Sequence, residues 1–410
     1  MKTVRKISGI ILGIVFMFSG IVKAIDPSGF AYKLHDYFVA FNMEWLIFLS
    51  LPLAIILFIA EFISGFAVIS GIRQKEGIWG VTLLMLIFTP LTLVVALTNP
   101  VSDCGCFGDA ILITNWQTFW KNVVLAIPAI IIFTGRKQVT PILGKTKEWL
   151  LTGAIVVLFV LFCIGNLRYL PLIDFLPYKT DVRIIDQMTI PEGAELDQYQ
   201  TTFIYEKNGE QKEFTLDNYP ADDTTWTFLD QKTVLLKKGY EPPIHNLAIT
   251  TLDGVDLTDH ILTRNGYTLL MITKKLHEAD SEKLSNGFET GRFVKDAGID
   301  FMALTSTSSG DIQDNGLQFC IVDETTLKTM MRANPGFILI YNGKIEGKWS
   351  WATVPEKEWF KNKALGEKVS QGNSARTLFS IFSIATGLLI FLLIVAVNVP
   401  KYFLQNKDKS

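Results

Sequence analysis

The strongest constraint on this chain is a series of long apolar runs, at residues 7–24, 45–72, 78–98, 119–134, 149–168 and 377–399. A helix needs about 20 such residues to cross the hydrocarbon core of a bilayer. Runs of this length exclude a wholly water-soluble fold and predict a polytopic α-helical membrane protein with six spans. The fourth run is the shortest and contains Pro128. The first follows Lys2, Arg5 and Lys6, as a secretory signal would, but no small-residue cleavage site comes after it. It reads as a retained helix.

Basic residues orient the spans. Lys2, Arg5 and Lys6 precede the first run, and Arg73 and Lys75 follow the second. Arg136, Lys137, Lys145 and Lys147 follow the fourth, and Lys401, Lys407 and Lys409 lie in the tail. The loop "TNPVSDCGCFGDAILITNWQ" has neither Lys nor Arg. The expected placement is the bacterial inner membrane with both termini cytoplasmic. That loop and residues 169–376 then face the periplasm. The lipid bilayer is the first expected partner. A net charge of −2 without a basic stripe gives no reason to expect nucleic-acid binding.

The spacing of the runs predicts a four-helix membrane domain over 1–137 with short connections. A fifth helix with its cytoplasmic lead-in covers 138–170, and a sixth helix covers 377–399. Between the last two lies a polar segment tethered at both ends. Its first part, 171–237, reads as strands, with "KNGE" as a hairpin turn. The second part, 238–362, alternates strand and helix patterns and predicts an α/β sandwich. Its hairpins turn at Asp253-Gly254 and Asn342-Gly343. "YTLLMIT" and "IDFMALTS" read as buried strands. A helix is expected from Asp280 or Ser281, and a shorter one at "TTLKTMMRA".

Four cysteines in 410 residues do not make a disulfide scaffold. Two of them, Cys104 and Cys106, flank Gly105 in the uncharged-by-base loop. Glycine eases the tight backbone between them. An exposed, strained bridge in an oxidising compartment exchanges electrons readily. A purely structural pair remains open, and so does metal binding, although zinc takes four ligands and this loop holds no histidine. The flanking Asp103 and Asp109 oppose thiolate formation by charge. Glu61 sits mid-helix, where a carboxylate is costly and marks a site or a polar pair. Lys23, near the outer end of the first helix, is within reach of it. Cys163 and Cys320 read as packing residues, His277 as a surface residue, and Trp116 and Trp120 as interfacial aromatics.

Two resemblances accompany these readings. "MFSGIVKAIDPSGFAYKL", "IAEFISGFAVISG" and "DCGCFG" followed by Trp and "KN" resemble the DoxX/MauE family of four-helix membrane proteins, over roughly residues 5–135. The resemblance implies a part in maturing periplasmic proteins, or in thiol and quinone redox chemistry. Over roughly 238–360, "GYEPPIHNLAITTLDGVDL" and "NPGFILIYNGKIEGKW" resemble membrane-tethered thioredoxin-like proteins, with Pro335 at the place of their cis-proline. Where that fold carries C-x-x-C, this chain has "KKLHEAD". The expectation is a redox accessory in which Cys104 and Cys106 cycle, with quinone as a candidate cofactor, no resident metal, and a periplasmic client docked on the outer domain. The competing expectation is a non-enzymatic, membrane-anchored partner-binding protein. A transporter is disfavoured by the absence of broken, repeated helices.

Overall fold

The structure is a computed structural model that describes residues 2–101, 103–220, 223–361, 378–390 and 392. Among these, five helices are long and apolar enough to cross a membrane, and an α/β region follows them. The chain is therefore a membrane protein with a soluble domain.

Helices α1 (Lys2–Ile25), α3 (Ser50–Ser70), α4 (Gln74–Thr98) and α5 (Asn115–Thr134) form a bundle. Between the first two lies the shorter α2 (Pro27–Ala40). Lipid offers no hydrophobic gain for joining helices, so small residues set the approach. A Cβ on Gly13 would lie 2.9 Å from the Gly65 carbonyl oxygen, and one on Gly65 would lie 2.7 Å from that of Gly13. Phe58, Phe62 and Phe66 of α3 are buried along one face. Phe62 stacks on Phe159 of α6 (Lys145–Tyr169), with ring centroids 4.3 Å apart.

Several boundaries differ from the sequence reading. The connection after α1 is not short. Asp26 caps α2 by accepting a hydrogen bond from the Gly29 amide at 2.9 Å, and Pro27 occupies its first position. A 3₁₀ segment, Glu44–Leu49, then leads into α3. Helix α5 begins at Asn115, ahead of the expected 119, because Thr114 and Gln117 form a capping box. Of the run at 377–399, Leu378–Ile390 is helical. Residues 377, 391 and 393–399 lie outside the described residues.

Beyond α7 (Ile184–Met188), strands β1 (Gln198–Lys207), β2 (Glu210–Thr215) and β3 (Thr227–Lys237) form an antiparallel sheet in the order β2-β1-β3. Asn208 and Gly209 turn the first hairpin with φ of 56° and 84°, the left-handed pair that a tight hairpin requires.

A second sheet has six strands. They are β4 (Thr250–Thr251), β5 (Tyr267–Ile272), β6 (Asp300–Thr305), β7 (Gln318–Ile321), β8 (Gly336–Tyr341) and β9 (Lys344–Ser350), in the order β4-β7-β6-β5-β8-β9. Strands β5, β6 and β7 are parallel, and β4, β8 and β9 join antiparallel. The Asp253-Gly254 turn closes with a Thr251 amide to Val255 carbonyl bond of 2.8 Å, but its first arm is the two-residue β4.

Side chains of β5 alternate between two cores. Leu270 and Ile272 pack with α8 (Thr258–Thr263) and α10 (Glu324–Met330). Leu269 and Met271 pack with α9 (Ser281–Asp296). Asp280 caps α9 on the Lys283 amide at 3.1 Å. The Asn334–Pro335 peptide is cis.

Candidate functional site: a dithiol loop over a buried ion pair

The loop between α4 and α5 carries Cys104 and Cys106, whose sulfurs lie 3.4 Å apart as a thiol–thiol contact. Gly105 between them has φ of 67°, and a Cβ there would lie 3.1 Å from Lys33 Cγ. Both conditions favour glycine. The loop is fastened from several directions. The Gly105 amide donates to Asp103 Oδ1 at 2.9 Å, and Lys33 Nζ pairs with Asp103 Oδ2 at 2.5 Å. The Tyr37 hydroxyl donates to the Cys104 carbonyl at 3.3 Å, and Asn115 Nδ2 to that of Val101 at 3.0 Å.

Beneath the loop, Lys23 Nζ lies 2.7 Å from Glu61 Oε1 and 2.9 Å from Oε2. Ser19 Oγ stands between this pair and the loop, 2.9 Å from Glu61 Oε2 and 2.8 Å from the Cys106 carbonyl oxygen. Its single proton serves one acceptor at a time. Lys23, Glu61, Cys104 and Cys106 all border one cavity of about 270 Å³. Its remaining wall is mostly apolar, with Phe30, Leu34, Phe38, Met85 and Phe88 among the lining side chains.

The electrostatics of the loop reverse the expectation drawn from its flanking acids. Asp103 is paired with Lys33, and Asp109 lies 2.6 Å from Arg332 Nη2. Lys121 is then the leading cation acting on both sulfurs, and the Lys23–Glu61 pair acts on Cys106 in opposite directions. The Cys104 thiol, donating to Cys106, holds the Cys106 thiol below its ordinary range, and Lys121 and Lys23 add to this against burial. Cys104 moves the other way, through the same hydrogen bond and then burial. The pair is asymmetric, with Cys106 the more readily ionised of the two.

Arg332 belongs to the soluble domain. Its Nε also pairs with Asp26 Oδ2 at 2.7 Å, and its guanidinium lies 5.5 Å from the Tyr32 ring centroid. Lys274, the first residue of "KKLH", donates to the Arg332 carbonyl at 3.0 Å and lies over Tyr32 at 5.1 Å. Burial pushes its amine down to about 7. The edge of the soluble domain that carries Lys274, Arg332 and the cis Asn334–Pro335 bond therefore rests on α2 and the cysteine loop.

Other singled-out residues lie apart. Cys163 is buried in α6, and Cys320 is buried in the sheet core. His277 is exposed beside Glu278. Trp116 and Trp120 are largely exposed on α5. Among the described residues, no group of three or more His, Cys, Asp or Glu side chains can hold a metal ion. Sequence reasoning missed Ser19, Asp26, Lys33, Tyr37, Lys121 and Arg332. Of these, only Asp26 had a local signal, since it precedes a Pro that can open a helix.

The fold and site define an integral membrane protein whose bundle carries a cysteine-pair loop above a buried Lys–Glu pair. Residues 1–135 match the model of the family described as methylamine utilisation protein MauE. Residues 199–238 match a domain of unknown function, DUF8463. No curated protein and no solved structure matches the chain.

Proposed function

We propose that this protein is a thiol–disulfide redox accessory of the bacterial inner membrane, acting on periplasmic proteins through Cys104 and Cys106. The observation that carries this reading is the close, asymmetric dithiol at the mouth of an apolar cavity. In thiol–disulfide exchange the sulfur whose thiol has the lower pKa leaves faster, so when a client thiolate attacks the loop disulfide at Cys104 the lowered Cys106 suits the role of leaving sulfur.

The chemistry balances as follows. A client dithiol exchanges with the Cys104–Cys106 disulfide through a mixed disulfide, leaving the client oxidised and the loop as a dithiol. Restoring the loop disulfide releases two electrons and two protons. A quinone, when bound, supplies an acceptor of two electrons and two protons. The lining supports such a molecule: Phe30, Phe38 and Phe88 would give it an apolar surface, and the Lys23–Glu61 pair would supply polar groups beside it. The strand order β6-β5-β8-β9, with α9 between β5 and β6, supports a thioredoxin-like reading of this domain and with it a surface to hold a client chain; the segment after β5 has no C-x-x-C.

The second reading, a membrane-anchored partner-binding protein, is favoured by "KKLHEAD" standing where such a domain carries C-x-x-C. Trapping thiols in native membranes with a mass-tagged alkylator separates the two. Wild type is expected to show a mixed population that shifts when quinone is depleted, with Cys106→Ser as the reference that keeps Cys104 alone in the loop. One fixed state under every condition sinks the redox reading.

A further inference from the structure

Cys104 and Cys106 border a cavity lined by the bundle and by α2, while the far end of their loop is held by a side chain from the soluble domain. Arg332 sits between Asp109 of the loop and Asp26 at the start of α2. The side chains of Arg332 and Asp26 are each 9% exposed. A guanidinium between two carboxylates, shut from water, is held firmly, because opening it strands charge. Its Nη1 also donates to the Lys328 carbonyl at 2.7 Å, which ties the clamp to the end of α10. Elsewhere the domain is anchored independently. Lys348 Nζ pairs with Asp174 at 2.6 Å, and Ser350 Oγ donates to the Arg168 carbonyl at 2.6 Å. Releasing Arg332 thus loosens the Asp109 end of the loop, while Lys33, Tyr37 and Asn115 still hold its Cys104 end and the domain stays attached to the end of α6.

We propose that Arg332 is a positioning and specificity-determining residue. By bridging Asp26 and Asp109 it keeps the cysteine loop closed on the bundle, so a small membrane-soluble partner meets the dithiol, and a water-borne protein thiol meets it only when the clamp opens. Its biological use rests on the thiol-redox reading above; the accessibility itself does not.

The experiment uses the full chain in vesicles, fully reduced beforehand, so that it reads access whether or not the pair cycles in cells. Alkylation of Cys104 and Cys106 is timed with a charged, membrane-impermeant maleimide and with an apolar, membrane-permeant one. In Arg332→Gln the charged reagent is expected to react about tenfold faster than in wild type, while the apolar reagent changes less than about twofold, as a shifted open–closed equilibrium requires. Asp109→Asn, which opens the same contact from the loop side and leaves the soluble domain untouched, repeats the effect. Lys357→Gln, which removes an exposed cation paired with Glu289 of α9 and not with the loop, leaves both rates unchanged. Equal acceleration with both reagents signals general loosening and overturns the proposal. Unchanged rates in both Arg332→Gln and Asp109→Asn overturn it as well.

Discussion

Lys23 Nζ lies 2.7 Å from Glu61 Oε1, and the two side chains are 4% and 2% exposed. Removing one member of a buried pair leaves the other charge uncompensated, at a cost of about 3–5 kcal/mol. Lys23→Met is therefore expected to lower the thermal midpoint in detergent strongly. The double variant Lys23→Met/Glu61→Leu should recover most of that loss. A double variant as unstable as Lys23→Met alone would show that the pair is not the origin of the effect.

The asymmetry of the dithiol gives a signed prediction. Cys104→Ala removes the donor that holds the Cys106 thiol down. The midpoint of the pH–rate profile for Cys106 alkylation should then rise, and the rate at neutral pH should fall several-fold. Cys106→Ala removes the leading cause that holds Cys104 up, so the Cys104 profile should move down, with burial limiting the change. Identical profiles for wild type and Cys104→Ala count against the hydrogen bond as the cause.

Gly105→Ala tests the geometry of the loop. The left-handed conformation at this position costs an L-residue about 1–2 kcal/mol, and the new methyl group meets Lys33 Cγ. The expected result is a modest loss of stability with a larger change in cysteine alkylation, because the Lys33–Asp103 pair lies against the same atoms. Lys33→Met in the Gly105→Ala background should add little further change.

Lys274 predicts a pH-dependent stability difference. Burial places its amine at about 7 in the folded protein, below the ordinary 10.5. Between those values the unfolded chain binds a proton that the folded one does not, so stability from this group falls as pH drops from 10.5 to about 7 and then levels off. Lys274→Met should compare more favourably with wild type at pH 7 than at pH 10, by an amount on the order of a few kcal/mol. Paired denaturation curves at the two pH values measure it. A difference independent of pH would mean that the amine is not perturbed.

Much of the architecture is legible along the chain, because its causes are local. Apolar runs of span length mark α1, α3, α4, α5 and α6. Asn208-Gly209 and Asn342-Gly343 mark hairpins by their left-handed turns, and Asp280 marks the start of α9. Helix α2 escapes such reading because its 14 residues are too few for a span and its pattern is mixed. The start of α5 escapes an apolar count because a polar capping box, Thr114 with Gln117, sets it.

The candidate site divides in the same way. By itself the sequence determined that two cysteines flank a glycine in a loop between spans, and that a carboxylate and an amine lie within apolar helices. Tertiary structure alone decided which charges face the sulfurs. Asp103 and Asp109 look hostile to a thiolate in sequence, yet Lys33, 70 residues from Asp103, and Arg332, 223 residues from Asp109, neutralise them. Arg332 reaches Asp26 across 306 residues. Backbone periodicity records what a residue does for its own helix or strand. Coulomb attraction depends on distance in space, and only the packed fold sets that distance.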